Sequence, residues 1–148
     1  MAPSVDLPVH IYLYKNRSDI RGITHTHSPY ATSFALLGEG IPMALTPIAH
    51  LLGVDIPCSR YAQVGHEDTG AAIIEAAGKD GLAVLVNRHG VFTMGKSPTE
   101  SVKIAAQVEE TAQTMHYAML RGKVEPMGKE EVARCRNFYT LNYGQGKR

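Results

Sequence analysis

The segment Thr24-His25-Thr26-His27-Ser28-Pro29 sets two imidazoles one residue apart. It follows an apolar stretch at residues 20–23 and precedes a helical pattern, so it reads as the end of a strand. Side chains at i and i+2 of an extended strand leave on the same face. His25 and His27 are therefore expected to lie close enough to bind one metal ion. A third imidazole, His89, follows the apolar run Val84-Leu85-Val86 and stands just before Gly90. Three histidines delivered by strand ends make an open site, which a catalytic zinc needs in order to keep a position free for substrate. Taken alone, the His-x-His spacing fits a pair of solvated surface imidazoles equally well.

The elements that must position these groups alternate irregularly along the chain. Residues 6–16 read as a helix with Val9, Tyr12 and Leu13 on one face and Asp6 placed to cap it. A strand at 22–27 leads into a helix at 30–37 closed by Gly38. A short strand is expected at 43–45, a helix from Thr46-Pro47 through Leu52, and a further strand within 60–64. An alanine-rich helix at 68–77 precedes two strands, 82–87 and 90–94, that flank His89. Ser97-Pro98-Thr99-Glu100 forms a capping box with proline at the first helical position. Val102, Ala105, Val108, Ala112, Met115 and Met119 then recur at spacings of three and four, a stripe that reads as core. A last helix runs from 129 to about 138. This alternation suggests α/β layers around a mixed or antiparallel sheet.

Composition narrows the functional classes. The 148 residues are 44% hydrophobic, enough for one globular domain with a substantial core. Net charge is +1 and the basic residues are scattered, apart from Lys147-Arg148, so neither a nucleic-acid groove nor an anionic membrane surface is indicated. No apolar run has the length of a membrane span, and the N-terminus lacks the pattern of a signal peptide. Cys58 and Cys135 stand apart, without CxxC spacing, and are expected to be free thiols of a cytoplasmic protein.

Three segments carry a resemblance to a known family. Pro3-Ser4-Val5-Asp6-Leu7-Pro8-Val9-His10, the His-x-His-Ser-Pro segment, and Arg88-His89-Gly90-Val91-Phe92-Thr93-Met94-Gly95-Lys96 resemble, in order, the motifs of the class II aldolase/adducin-head family. The resemblance spans residues 3–145 and is greatest to the L-ribulose-5-phosphate 4-epimerases of that family. It implies one domain over residues 1–148, folded as a three-layer α/β/α sandwich around a mixed, largely antiparallel sheet. It also implies a homotetramer with active sites between subunits. Family members carry a further N-terminal portion with a glycine-rich Gly-Asn-x-Ser segment and a lysine for the substrate phosphate, so this chain is expected to be a shortened member.

The resemblance assigns roles residue by residue. His25, His27 and His89 match the metal-binding histidines, with zinc or another divalent metal as the cofactor. Asp6 matches the acidic residue at the metal; a plain helix N-cap is the alternative, and one residue can do both. Fuculose-phosphate aldolases typically carry glutamate here as a proton-transfer base, whereas the epimerases carry aspartate. Ser4 matches a serine that binds substrate phosphate, with Val5 where a second serine often stands, and Thr46 matches a family threonine of the substrate pocket. Tyr143, in Leu141-Asn142-Tyr143-Gly144-Gln145, fits the Tyr-Gly-Gln end of the epimerases, where the phenol is an acid/base group. His50 falls where the epimerases carry the aspartate that works opposite this tyrosine; imidazole also moves protons near neutral pH. His10, His66 and His116 are expected to be packed or surface residues. The implied reaction is zinc-dependent inversion of C4 of L-ribulose 5-phosphate, a small phosphorylated sugar, by retro-aldol/aldol chemistry. The alternatives are cleavage of another ketose phosphate such as L-fuculose 1-phosphate, and a non-catalytic interaction module.

Overall fold

The computed structural model describes residues 2–142. Along the chain these form α1 (Leu7–Asn16), β1 (Gly22–Thr26), α2 (Pro29–Leu37), α3 (Thr46–Leu51), β2 (Cys58–Ser59) and α4 (Glu67–Ala77). They continue with β3 (Ala83–Val86), β4 (Gly90–Gly95), α5 (Pro98–Met119) and α6 (Lys129–Asn142). The strands make one four-stranded sheet in the order β1-β4-β3-β2. Two of its pairings are antiparallel and β2 joins β3 in parallel, so the sheet is mixed and largely antiparallel.

The sheet is covered on both faces, and the pleat decides which residues go where. Val84, Val86, Phe92 and Met94 point to one side, where they meet Val9 and Leu13 of α1, Ile73 of α4, and Ile20 from the link before β1. Ala83, Leu85 and Val91 point to the other, against Phe34, Ile48, Ile104, Val108, Met115 and Val132, which come from α2, α3, α5 and α6. The result is a three-layer α/β/α sandwich, the class expected from the sequence. All four residues of β3 are buried, as expected for a strand with helices on both sides. Each fully buried Phe, Leu or Ile of these two clusters contributes about 1.5–3 kcal/mol.

Local signals account for most boundaries. Gly38 ends α2 in the left-handed conformation, φ 74°, with its N–H on the Ala35 and Phe34 carbonyls. Ser97 caps α5 by accepting the Glu100 N–H at 3.1 Å. The Glu100 carboxylate reaches back to the N–H of Lys96, one residue earlier than the reciprocal bond of a capping box. A second tie holds α5 to the sheet: Ser101 Oγ and Thr24 Oγ1 share a hydrogen bond of 2.8 Å.

Two expected strands are corrected. Residues 43–45 make no strand, because the Met43 N–H donates to the Asp55 carboxylate and its carbonyl accepts from Met127, which ties the segment to loops rather than to the sheet. The strand sought within 60–64 lies earlier, at Cys58–Ser59, since Ser59 pairs with Val86 and β3 turns away immediately afterwards. Arg60 leaves the sheet for the carboxylates of Asp68 and Glu75. The last helix continues to Asn142.

Candidate metal centre

The alternation of β1 sends Thr24 toward α5 and His25 to the opposite face. There the His25 ring stacks on its cross-strand partner Phe92, with centroids 4.2 Å apart and planes inclined by 20°. His27 lies one residue past the end of β1, and its Nε2 is 3.0 Å from Nε2 of His25. His89 sits in the tight turn between β3 and β4, where its N–H donates to the Val86 carbonyl. The preceding Arg88 has φ 59° and is the one non-glycine residue with positive φ among the described residues. This turn swings the His89 ring to centroid distances of 4.8 Å from His25 and 5.0 Å from His27. One nitrogen from each of the three rings lies within 4.8 Å of the others.

The His25 ring is oriented from behind. Its Nδ1–H donates to the Val91 carbonyl at 2.9 Å, so the neutral ring keeps the Nε2 lone pair on the cluster. Burial pushes the His25 imidazole below its ordinary pKa, and the neighbouring His89 and His27 add to that, against the Val91 bond and the Asp6 charge. His89 is lowered as well, first by burial and then by His27, against Asp6. Neutral imidazoles are the form that binds metal.

Asp6 completes the group. It lies at the N-terminus of α1, 7% exposed, with Oδ2 3.8 Å from His25 Nε2. Its side chain makes no capping bond. Ser4 fixes the turn ahead of the helix, its Oγ accepting the Asp6 N–H at 3.3 Å and its carbonyl accepting the Leu7 N–H at 3.1 Å. The expectation that Asp6 doubles as the helix cap is thereby corrected: the carboxylate is turned to the histidines. Asp6 Oδ1 and His89 Nδ1 are both buried without a hydrogen-bond partner. Orphaned polar atoms of this kind cost free energy unless something answers them. A divalent cation on the three imidazoles beside the carboxylate answers the charge, and an all-nitrogen histidine set with an acidic neighbour suits zinc and other divalent transition metals.

Gly90 makes room for the cluster. A Cβ built there would stand 2.5 Å from the Thr26 carbonyl oxygen, 2.7 Å from His27 Cδ2 and 3.3 Å from His25 Cε1. Any side chain at 90 would thus push on the backbone of β1 and on two of the three rings. The sequence marks this glycine only as a turn residue; its packing role depends on β1 lying alongside, as do the roles of Phe92 and the Val91 carbonyl.

The remaining candidates lie apart from this group or outside the described residues. Thr46 is exposed at the start of α3. His50, on the same helix, is stacked on Tyr139 of α6 at 5.7 Å and takes no part in the contacts among Asp6 and the three histidines. Tyr143 lies outside the described residues. His10 packs edge-on against Phe92 at 5.7 Å, and burial lowers its pKa against the pull of Asp6. His66 precedes α4 without a capping bond, and His116 packs beside Tyr30 on α5.

A mixed sheet between helical layers, with three histidines and a carboxylate gathered where β1, the β3–β4 turn and α1 meet, defines an α/β protein with a candidate metal centre. Residues 1–116 match the Class II Aldolase and Adducin N-terminal domain, and the chain belongs to that family. It is 29% identical over 143 residues to the 5-deoxy-D-ribulose 1-phosphate aldolase of Bacillus thuringiensis serovar kurstaki, covering 97% of this chain and 66% of that one. It is 36% identical over 120 residues to the L-ribulose-5-phosphate 4-epimerase UlaF of Salmonella paratyphi B, covering 74% of this chain and 53% of the relative. Among solved structures, an L-fuculose 1-phosphate aldolase superposes with a TM-score of 0.87 at 28% identity, covering 94% of this chain and 65% of that one. The chain therefore spans between about half and two thirds of the length of these relatives.

Proposed function

We propose that this chain forms the metal-binding part of a sugar-phosphate enzyme that works by reversible aldol chemistry, with inversion of C4 of L-ribulose 5-phosphate as its reaction. The observation that carries the reading is the convergence of three imidazoles on a buried carboxylate, Asp6 Oδ2 lying 3.8 Å from His25 Nε2. His25, His27 and His89 would hold the divalent metal, zinc being the first choice for such a donor set. When bound, the metal supplies a Lewis acid for the negative charge that builds on the carbonyl and adjacent hydroxyl oxygens of a ketose phosphate as the neighbouring carbon–carbon bond opens.

The protein's own groups have distinct tasks in this reading. His25 holds its Nε2 toward the site because Nδ1–H is committed to Val91. Asp6 keeps a negative charge beside the imidazoles and presents Oδ1 as a free acceptor for a substrate hydroxyl. Ser4 and Thr46 offer hydroxyls to the phosphate. Tyr143 and His50 serve as the acid/base groups for the two faces of the released aldehyde. His50 is packed on α6 rather than on the histidines, which fits its use in a neighbouring subunit's site within a homotetramer. The free thiols of Cys58 and Cys135 fit a reducing, cytoplasmic setting.

The test is product analysis. Metal-loaded protein is incubated with L-ribulose 5-phosphate and followed by carbon NMR, and D-xylulose 5-phosphate is the expected product. Cleavage to glycolaldehyde phosphate and dihydroxyacetone with no D-xylulose 5-phosphate contradicts the epimerase. It supports the second reading, a class II aldolase of a ketose phosphate, which is favoured by His50 standing where an aspartate is expected. Conversion of neither kind, with this sugar or with L-fuculose 1-phosphate, contradicts both.

A further inference from the structure

We propose that Glu109 is a positioning residue for His27, holding this ligand in place through the N-terminus of α2. The inference rests on the reading of His25, His27 and His89 as a metal site.

α2 leaves backbone groups at its start without partners inside the helix. The N-terminal N–H groups of a helix have no acceptor within it. In α2 the first position is Pro29, which carries no N–H, and the Thr32 N–H already reaches the Ser28 carbonyl at 2.9 Å. The Tyr30 and Ala31 N–H groups remain. Ser28 occupies the capping position yet makes no side-chain cap, its hydroxyl lying 3.3 Å from Thr26 Oγ1 instead. Both N–H groups are taken by one carboxylate from the long helix α5. Glu109 Oε1 accepts from Tyr30 at 3.0 Å and Oε2 from Ala31 at 2.9 Å. A carboxylate gripping two N–H groups at the positive end of a helix makes charge-assisted bonds in a geometry that neither oxygen alone can fix.

The location of this clamp links it to the site. Thr26, the last residue of β1, is paired with Val91, and Tyr30 is the first residue held by Glu109. His27 lies in the short link between these two anchors. Its ring is exposed, and among the described residues its hydrogen bond runs to His25. His25 has a carbonyl behind it to orient the ring, whereas His27 depends on where its backbone is held. The same helix also grips β1 upstream, through Ser101 on Thr24. One rigid element thus fixes the chain on both sides of the His-x-His pair.

The experiment uses the full chain and cobalt(II) as the metal probe. Wild type, Glu109→Gln and Ser97→Ala are titrated with cobalt(II) by absorption, and the urea midpoint of each metal-free protein is measured. In Glu109→Gln one of the two gripping oxygens becomes an NH2 donor set against a backbone N–H, so cobalt affinity is expected to fall about ten-fold or more, with altered intensity of the visible bands. Ser97→Ala removes the cap of α5 and lowers the urea midpoint, while its affinity and bands stay as in the wild type. Glu109→Asp, which keeps the charge at shorter reach, is expected to bind more weakly too and serves if the glutamine variant does not fold. Wild-type affinity and bands in the Glu109 variants overturn the proposal and leave the metal site standing. A loss of affinity in Ser97→Ala that matches its loss of stability also overturns it, because the effect is then general destabilisation. A wild-type protein that binds no cobalt overturns both this proposal and the metal site beneath it.

Discussion

Asp6 Oδ2 lies 3.8 Å from His25 Nε2, while the other oxygen of the same carboxylate is buried with no partner among the described residues. The Asp6 side chain makes no cap bond to α1, and the carboxylate is held beside the imidazoles at the expense of its own solvation. Such an arrangement favours a bound cation more than it favours the empty fold.

Asp6→Asn therefore separates binding from stability. The amide fills the same volume without a buried charge, and the metal-free variant is expected to unfold at a urea concentration no lower than the wild type. Its zinc affinity should fall by about ten-fold or more, as for the loss of an outer partner of a metal site. Isothermal titration and urea melts on the same preparation check this. Unchanged zinc affinity contradicts the placement of Asp6 at the metal.

Gly90→Ala tests the packing of the cluster. The added methyl meets the Thr26 carbonyl at 2.5 Å, and backbone cannot move aside as a side chain can. A cost of about 1–3 kcal/mol is expected from overpacking, with zinc affinity reduced because His27 Cδ2 is struck at 2.7 Å. Denaturant unfolding and zinc titration read the two effects, and a variant with wild-type values in both contradicts the geometry described.

Acid sensitivity follows from the buried imidazoles. Burial lowers His25, His89 and His10 relative to the ordinary value of about 6.5. Between those lowered values and about pH 6.5, the unfolded chain binds more protons than the folded one. The associated stability is complete above about pH 6.5 and is lost as pH falls through the folded values. The urea midpoint of metal-free protein is expected to be level from about pH 7.5 to 6.5 and to decline below that, with a shallower decline in His89→Ala. A midpoint that stays level down to about pH 5 contradicts this account.

Local patterns in the sequence carry much of this structure. The i, i+2 spacing of His25 on β1 and His27 just past its end and the cap at Ser97 are local signals with counterparts in the fold, and the stripe on α5 is core from Ala105 to Met115 while its expected ends, Val102 and Met119, are exposed. What the sequence hides depends on distant partners. Phe92 beneath His25 and the Val91 carbonyl behind it require the β1–β4 register. The grip of Glu109 on Ala31 spans 78 residues and leaves no mark in either segment. The absent strand at 43–45 reads as extended and apolar locally, but its backbone partners are Asp55 and Met127. The position of His50 on α3 is legible from the Thr46-Pro47 start signal, while its stacking on Tyr139 needs α6 folded against α3.

The most direct test of the metal centre is the metal content of the full chain, purified and then exposed to zinc and desalted, beside His25→Ala treated identically. About one zinc per chain in the wild type, with little or none in the variant, is the predicted result. A folded wild-type protein that retains no zinc, or a His25→Ala protein that retains as much as the wild type, contradicts the assignment of His25, His27 and His89 as the metal-binding site.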